Sequence, residues 1–250
     1  MKFLRYAYEG KTSYGVLQGE TVYPVSGDIY TSYTVAAEGV ALQDVTLLVP
    51  CEPTKIIAVG LNYSDHAKEM KEEQRKAPVL FTKPLSSLLP HGGTILWPAT
   101  SQQVDYEAEL CVVVGKTADC VTPEEAEDYI FGYTCLNDVT ARDLQKVDGQ
   151  WTRAKGFKTF APMGPYIETE ADVSSLDIRL ELNGEIKQQG NTDMMMFSPA
   201  ELVSFVSEIM PLYPGDVITT GTPAGIGPMQ HGDKVSVIIE NIGALTNYME

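Results

Sequence analysis

The 250-residue chain carries 34 acidic and 18 basic side chains, a formal net charge of -16. That balance argues against nucleic acid and anionic membrane as partners, since it offers neither a basic patch nor counterion release. With 44% hydrophobic and 21% charged residues, the chain reads as a soluble globular protein, large enough for one domain plus a small appendage.

The first residues, Met1 to Glu9, lack the apolar core of a signal peptide, and no run approaches membrane-spanning length. A cytoplasmic location is therefore expected. Residues 1–50 read as a small N-terminal β subdomain, with strands around Phe3 to Ala7, Gly15 to Leu17 and Thr21 to Val25 separated by Glu9-Gly10 and Gln18-Gly19 turns. Pro50 and Pro53 mark either an ordinary loop or the boundary to a second unit over 51–250, which opens on the apolar run Lys55 to Val59.

Next comes Gly60-Leu-Asn-Tyr-Ser-Asp-His-Ala-Lys-Glu-Met70 and a charged run to Lys76. Asn62 or Ser64 can cap a helix that carries His66 and Glu69 on one face. An imidazole beside a carboxylate can act as a general base. Taken alone, the pattern better suits an exposed charged helix with an incidental histidine. The charged run implies little burial, as a closing lid would have.

Short strands follow at Pro78 to Pro84 and His91 to Pro98, with His91 in a turn. In Val104-Asp-Tyr-Glu-Ala-Glu-Leu-Cys-Val-Val-Val114, strand alternation points Glu107 and Glu109 the same way, with Cα atoms roughly 6.5 to 7 Å apart. The run Leu110 to Val114 is continuously apolar, which predicts a strand covered on both faces. Buried paired carboxylates require a positive partner, and oxygen-only ligation suits Mg, Ca or Mn better than zinc. Asp138, after the apolar run Tyr129 to Leu136, supplies a third oxygen at the junction to a helix over Val139 to Gln145, which it can also cap. Arg142 and Gln145 would share its helical face. A strand edge with solvated glutamates and an N-capping Asp explains the same spacing.

Thr122-Pro-Glu-Glu125 and Ser198-Pro-Ala-Glu201 are boxed helix starts, the second leading a core stripe of Leu202, Phe205, Val206 and Ile209. The basic stretch Trp151 to Phe160 offers Lys155 or Lys158 to an oxyanion, or is a solvated loop. Asn183-Gly184 predicts a hairpin turn. Pro214 to Gly227 runs through a strand into a Gly-rich loop whose amides can approach an anion, with a hydroxyl at Thr222. Strands at Lys234 to Glu240 and Ala244 to Tyr248 finish the chain, with His231 in a turn. The four cysteines, Cys51, Cys111, Cys120 and Cys135, show no C-x-x-C spacing and read as reduced core residues.

In order, the segments GLNYSDHAKEM, YEAEL, LNDVTARDLQ, AKGF, LNGE, SPAELVSF and PGDVITTGTPAGIG, spread over about residues 55–250, resemble the fumarylacetoacetate hydrolase family. The resemblance implies an α+β, β-rich fold, a mixed β-roll with a few short helices, dimeric and binding Mg2+ or Mn2+. It implies that Glu107, Glu109 and Asp138 are metal ligands and that His66 and Glu69 activate water on a closing lid. Lys155 matches the lysine that stabilises an enolate or oxyanion, and Lys158 has no counterpart. Tyr63, Arg142, Gln145 and Thr222 match substrate-facing positions. Asn62 departs from longer members, where an Asp adds a ligand; water is expected to fill that place here.

The implied activity is hydrolytic carbon-carbon cleavage of acylpyruvates, small 2-oxo acids, through a metal-stabilised enolate. The alternatives are isomerisation or decarboxylation of dienoate diacids, oxaloacetate decarboxylation or tautomerisation, and a non-catalytic metal-binding role.

Overall fold

The computed structural model describes residues 1–69 and 76–250, so the part of the expected charged run and lid at 70–75 lies outside the described residues. Short apolar runs broken by turn residues become strands. Lys2–Tyr8, Lys11–Gln18 and Thr21–Asp28 form the expected meander. Its first strand pairs antiparallel with Ala161–Glu168, Lys2 opposite Glu168, so the N-terminal strands extend the main sheet.

That sheet runs from Ser32–Val35 through the meander to Ala161–Glu168, Ile130–Asn137, Ala108–Val114, Val217–Thr219, Ile56–Gly60 and Val79–Lys83. All seven residues of Ala108–Val114 are buried, as a continuous apolar run covered on both faces requires. Val112 and Val114 pack with Ile57, Val59 and Ile218 under the helix Pro199–Ile209. Cys111 and Val113 face the opposite cluster, with Phe3, Ile56, Leu136 and Met163. A second sheet, Thr94–Ile95, Gly243–Met249, Lys234–Ile239, Asp177–Leu182 and Glu185–Asn191, closes the roll around a core that includes Leu110 and Cys135. The hairpin turn within it has Asn183 at φ 56° and Gly184 at φ 84°, the left-handed pair that a two-residue turn demands.

Three local expectations are corrected. The helix after Asp138 spans Arg142–Asp148 and does not start at Val139. Thr140–Ala141 instead pairs as a strand with Val104–Tyr106, so Asp138 caps nothing. In Pro199–Ile209 the capping box at Ser198 and Glu201 forms, but the buried stripe is Leu202, Val203 and Val206, with Phe205 half-buried and Ile209 exposed. The helix is turned because Ser204 Oγ donates to Val121 O at 2.8 Å and Ser207 Oγ accepts from Val121 N at 3.0 Å. Of the four free cysteines, Cys51, Cys111 and Cys135 are buried, whereas Cys120 sits exposed in a turn. Burial pushes the thiols of Cys51 and Cys135 up to about 12, which keeps them inert.

Candidate metal centre and catalytic dyad

Glu107 occupies the break between two ladders. Val104–Tyr106 belongs to a small sheet with Thr140–Ala141 and Gly227–Pro228, and Ala108–Val114 to the main one. The break is pinned by its neighbour strand: Glu107 N donates to Asn137 Oδ1 at 2.9 Å, and Asp138 N donates to Glu107 O at 2.9 Å. Carboxylate oxygens of Glu107, Glu109 and Asp138 thereby come within 4.8 Å of one another, all three side chains being buried. The spacing that suggested shared ligation is realised in space. Solvated glutamates at a strand edge are ruled out by this burial.

Buried cations surround two of the three carboxylates. Lys155 Nζ lies 2.8 Å from Glu107 Oε2 and 2.5 Å from Asp138 Oδ2. Arg142 Nε donates to Asp105 Oδ2 at 2.8 Å, and its Nη2 pairs with Glu107 Oε1. Lys83 Nζ donates to Asp138 Oδ1 at 2.5 Å and to the Lys155 carbonyl at 2.6 Å. Burial raises the Glu107 pKa, but Lys155 and Arg142 outweigh it and hold this carboxyl below its ordinary range.

Glu109 differs. It accepts from Gly221 N at 3.0 Å but has no ion-pair partner among the described residues. Burial, then Asp138 and Glu107, push its pKa well above the ordinary value. Four buried carboxylates (Asp105, Glu107, Glu109, Asp138) thus face three buried cations (Lys83, Arg142, Lys155). The donor set is oxygen-only and, with Glu109 ionised, carries one negative charge more than its cations match, which fits a hard divalent cation.

Beside it, the helix Ser64–Glu69 places His66 Nδ1 at 2.9 Å from Glu69 Oε2. Glu69 is held in turn by Gly225 N at 3.1 Å, and Asp65 Oδ2 by Ala224 N at 3.3 Å. The Gly-rich loop does bring its amides to anions, but these are the protein's own carboxylates, Glu109 included. With Nδ1–H directed at Glu69, Nε2 is left as the basic nitrogen of a nearly buried His66.

One cavity of about 200 Å³ is lined by His66, Glu107, Glu109, Asp138, Arg142, Gln145, Lys155 and Thr222, with Phe81, Trp151 and Lys146 among its walls. Glu69 stands behind His66. Tyr63 does not line the cavity; it is fully buried with its hydroxyl unpaired among the described residues. Asn62 is a brace rather than a vacant ligand position: its Nδ2 donates to Phe197 O and Thr220 O at 2.9 and 2.8 Å, and its Oδ1 accepts from Phe197 N at 2.8 Å. Lys158 is exposed and outside the cavity.

The sequence reading missed Lys83, Asp105, Asn137 and Gln188. Asp105 extends the alternating series that holds Glu107 and Glu109, a legible signal. Lys83, a lone charge ending the strand Val79–Lys83, gave none. Gln188 fixes Thr222, donating to its Oγ1 at 2.8 Å, while accepting from Ala108 N at 2.9 Å.

Residues 55–250 match the family model described as fumarylacetoacetate (FAA) hydrolase C-terminal, and residues 1–50 one described as Rv2993c-like, N-terminal. The mitochondrial oxaloacetate tautomerase Fahd2a of Rattus norvegicus is 39% identical over 236 residues, 87% of this chain and 75% of that protein. A 5-carboxymethyl-2-hydroxymuconate delta-isomerase from Mycobacterium smegmatis shares 38% identity at a TM-score of 0.94, covering 100% of this chain and 99% of its own. Fumarylpyruvate hydrolase from Pseudomonas aeruginosa, in complex with Mn2+ and pyruvate, shares 31% identity at a TM-score of 0.75, over 82% of this chain and 91% of its own. The expected sheet-rich fold with few short helices is the one that these neighbours share.

Proposed function

The chain belongs to the fumarylacetoacetate hydrolase family, whose members are enzymes, and we propose that it cleaves acylpyruvates hydrolytically in a metal-dependent reaction. Glu107, Glu109 and Asp138 would hold Mg2+ or Mn2+. A divalent cation there would supply Lewis-acid chemistry, polarising a bound 2-oxo acid so that it loses a proton at C3 more readily. Binding of Mn2+ and pyruvate by the Pseudomonas relative supports this assignment.

The observation that carries the hydrolytic reading is the intact dyad at the cavity wall, His66 Nδ1 to Glu69 Oε2 at 2.9 Å. Glu69 fixes the tautomer, and His66 Nε2 takes a proton from water. The water oxygen adds to the acyl carbonyl carbon, the bond from that carbon to C3 breaks, and C3 takes up a proton. A carboxylic acid and pyruvate are the products. Lys155 keeps a positive charge where negative charge develops on the substrate. Thr222, whose Oγ1 accepts from Gln188, has its own proton free to donate to substrate. Arg142 and Gln145, joined at 2.5 Å, orient the substrate from the helix side.

A second reading is tautomerisation of a four-carbon 2-oxo diacid, with the dyad moving a proton at C3 and no water attacking. The cavity of about 200 Å³ and the likeness to an oxaloacetate tautomerase favour it. NMR of the Mg2+-loaded protein with acetylpyruvate and with oxaloacetate, with and without chelator, separates the two. Metal-dependent pyruvate and acetate support hydrolysis; metal-dependent keto-enol interconversion without cleavage supports the second reading.

A further inference from the structure

The cavity is lined by three cationic side chains, Arg142, Lys146 and Lys155. Two have their charge matched: Arg142 by Asp105 and Glu107, and Lys155 by Glu107 and Asp138. Lys146 is exposed and has no carboxylate within ion-pair distance among the described residues. Among the described residues it is the lining cation still available to a ligand.

Its position is set by the helix Arg142–Asp148. Residues four apart lie on one face, so Lys146 follows Arg142 along that face with an axial separation of roughly 6 Å. Gln145 lies on the same side, tied to Arg142 Nη1 at 2.5 Å. The helix therefore leads from a guanidinium that touches a metal-ligand carboxylate to an unmatched ammonium at the exposed end. The cavity also has apolar walls. Phe81 and Trp151 meet edge to face at 5.1 Å, and Trp151 packs so closely on Gly60 that a Cβ there would come within 2.6 Å of the indole. A short carbon chain fits that wall, and a second anionic group fits the end of it.

Resting on the reading of this cavity as a 2-oxo acid site, we infer that Lys146 is a specificity residue that binds the distal carboxylate of a 2-oxo diacid. The surrounding protein is strongly acidic, with a net charge of -16, so a distal carboxylate has little else to meet. An ammonium at an exposed site strengthens binding of such a group by about fivefold, less as salt rises.

The test is calorimetric binding to the Mn2+-loaded protein of 2-oxoglutarate and 2-oxopentanoate, equal in carbon number and differing in the terminal carboxylate. The wild type binds 2-oxoglutarate about fivefold more tightly. Lys146→Ala brings the ratio to within twofold, Lys146→Arg retains it, and raising salt from 0.05 to 0.5 M shrinks it in the wild type and in Lys146→Arg but leaves Lys146→Ala unmoved. A wild-type ratio near one, or a preference that survives in Lys146→Ala, overturns the assignment while the 2-oxo acid site stands. Failure of both ligands to bind overturns the underlying reading and this one with it.

Discussion

Lys83 Nζ lies 2.5 Å from Asp138 Oδ1, with both side chains buried. The same ammonium holds the carbonyl of Lys155 at 2.6 Å, so one lysine fixes a carboxylate of the candidate metal centre and the backbone that presents Lys155. Burial pulls the Lys83 pKa down, and Asp138 provides the counter-charge.

Lys83→Met leaves Asp138 without that partner. Removing one member of a buried pair costs about 3 to 5 kcal/mol, and misplacing a ligand weakens metal binding by roughly 10- to 100-fold. Thermal denaturation and Mn2+ titration check both effects. An unchanged Mn2+ affinity would mean that Asp138 is oriented by other contacts.

Glu109→Gln moves stability and metal binding in opposite directions. The carboxylate is buried without an ion-pair partner, so the isosteric amide raises the stability of the metal-free protein by about 2 kcal/mol. Metal affinity falls by at least tenfold. Denaturation with and without Mn2+ reads both numbers, and a drop in metal-free stability would contradict the charge balance described for the site.

His66→Ala spares the three carboxylates. Mn2+ affinity stays within about threefold, whereas turnover falls by 100-fold or more, the usual loss on removing a general base. Glu69→Gln keeps a hydrogen-bond partner for Nδ1 and falls between. Equal turnover in wild type and His66→Ala would remove the dyad from the mechanism.

Away from the cavity, Asp216 ties the strand Val217–Thr219 to the segment before Ile56–Gly60. Its Oδ1 accepts from Thr54 N, Thr54 Oγ1 and Lys55 N at 2.8, 2.7 and 3.1 Å, and its Oδ2 pairs with Lys55 and accepts from Tyr213 N at 2.9 Å. Burial raises its pKa, but these bonds win and depress it. A depressed carboxylate stabilises the fold above its unfolded pKa, about 3.9, and that stability is lost as pH falls through the folded value. Asp216→Asn is therefore less stable than wild type by about 3 kcal/mol at pH 7. The difference narrows below pH 4, as denaturant titrations at several pH values will record.

How legible this was depended on the range of the signal. The seven-residue strand Ala108–Val114, the capping boxes at Thr122 and Ser198 and the Asn183-Gly184 turn are local patterns, and each is where the residues indicated. The three carboxylates were readable because alternation and a strand end bring them to one place. Lys83 and Gln188 were not, since their roles depend on strands that pair far along the chain. Helix Pro199–Ile209 was misoriented for a related reason: two serines with distant partners, invisible to a hydrophobic stripe, decide which side faces the sheet. Asn62, read as facing a water-filled ligand position, is spent bracing two loops.

Solvent deuterium exchange at C3 of 2-oxobutyrate, followed by NMR, tests the central claim most directly, since it asks for metal-dependent proton transfer without requiring the physiological substrate. Incorporation by the Mg2+-loaded wild type, abolished by chelation and by Glu109→Gln, is the predicted result. No incorporation by protein that demonstrably binds both metal and 2-oxobutyrate would contradict the account.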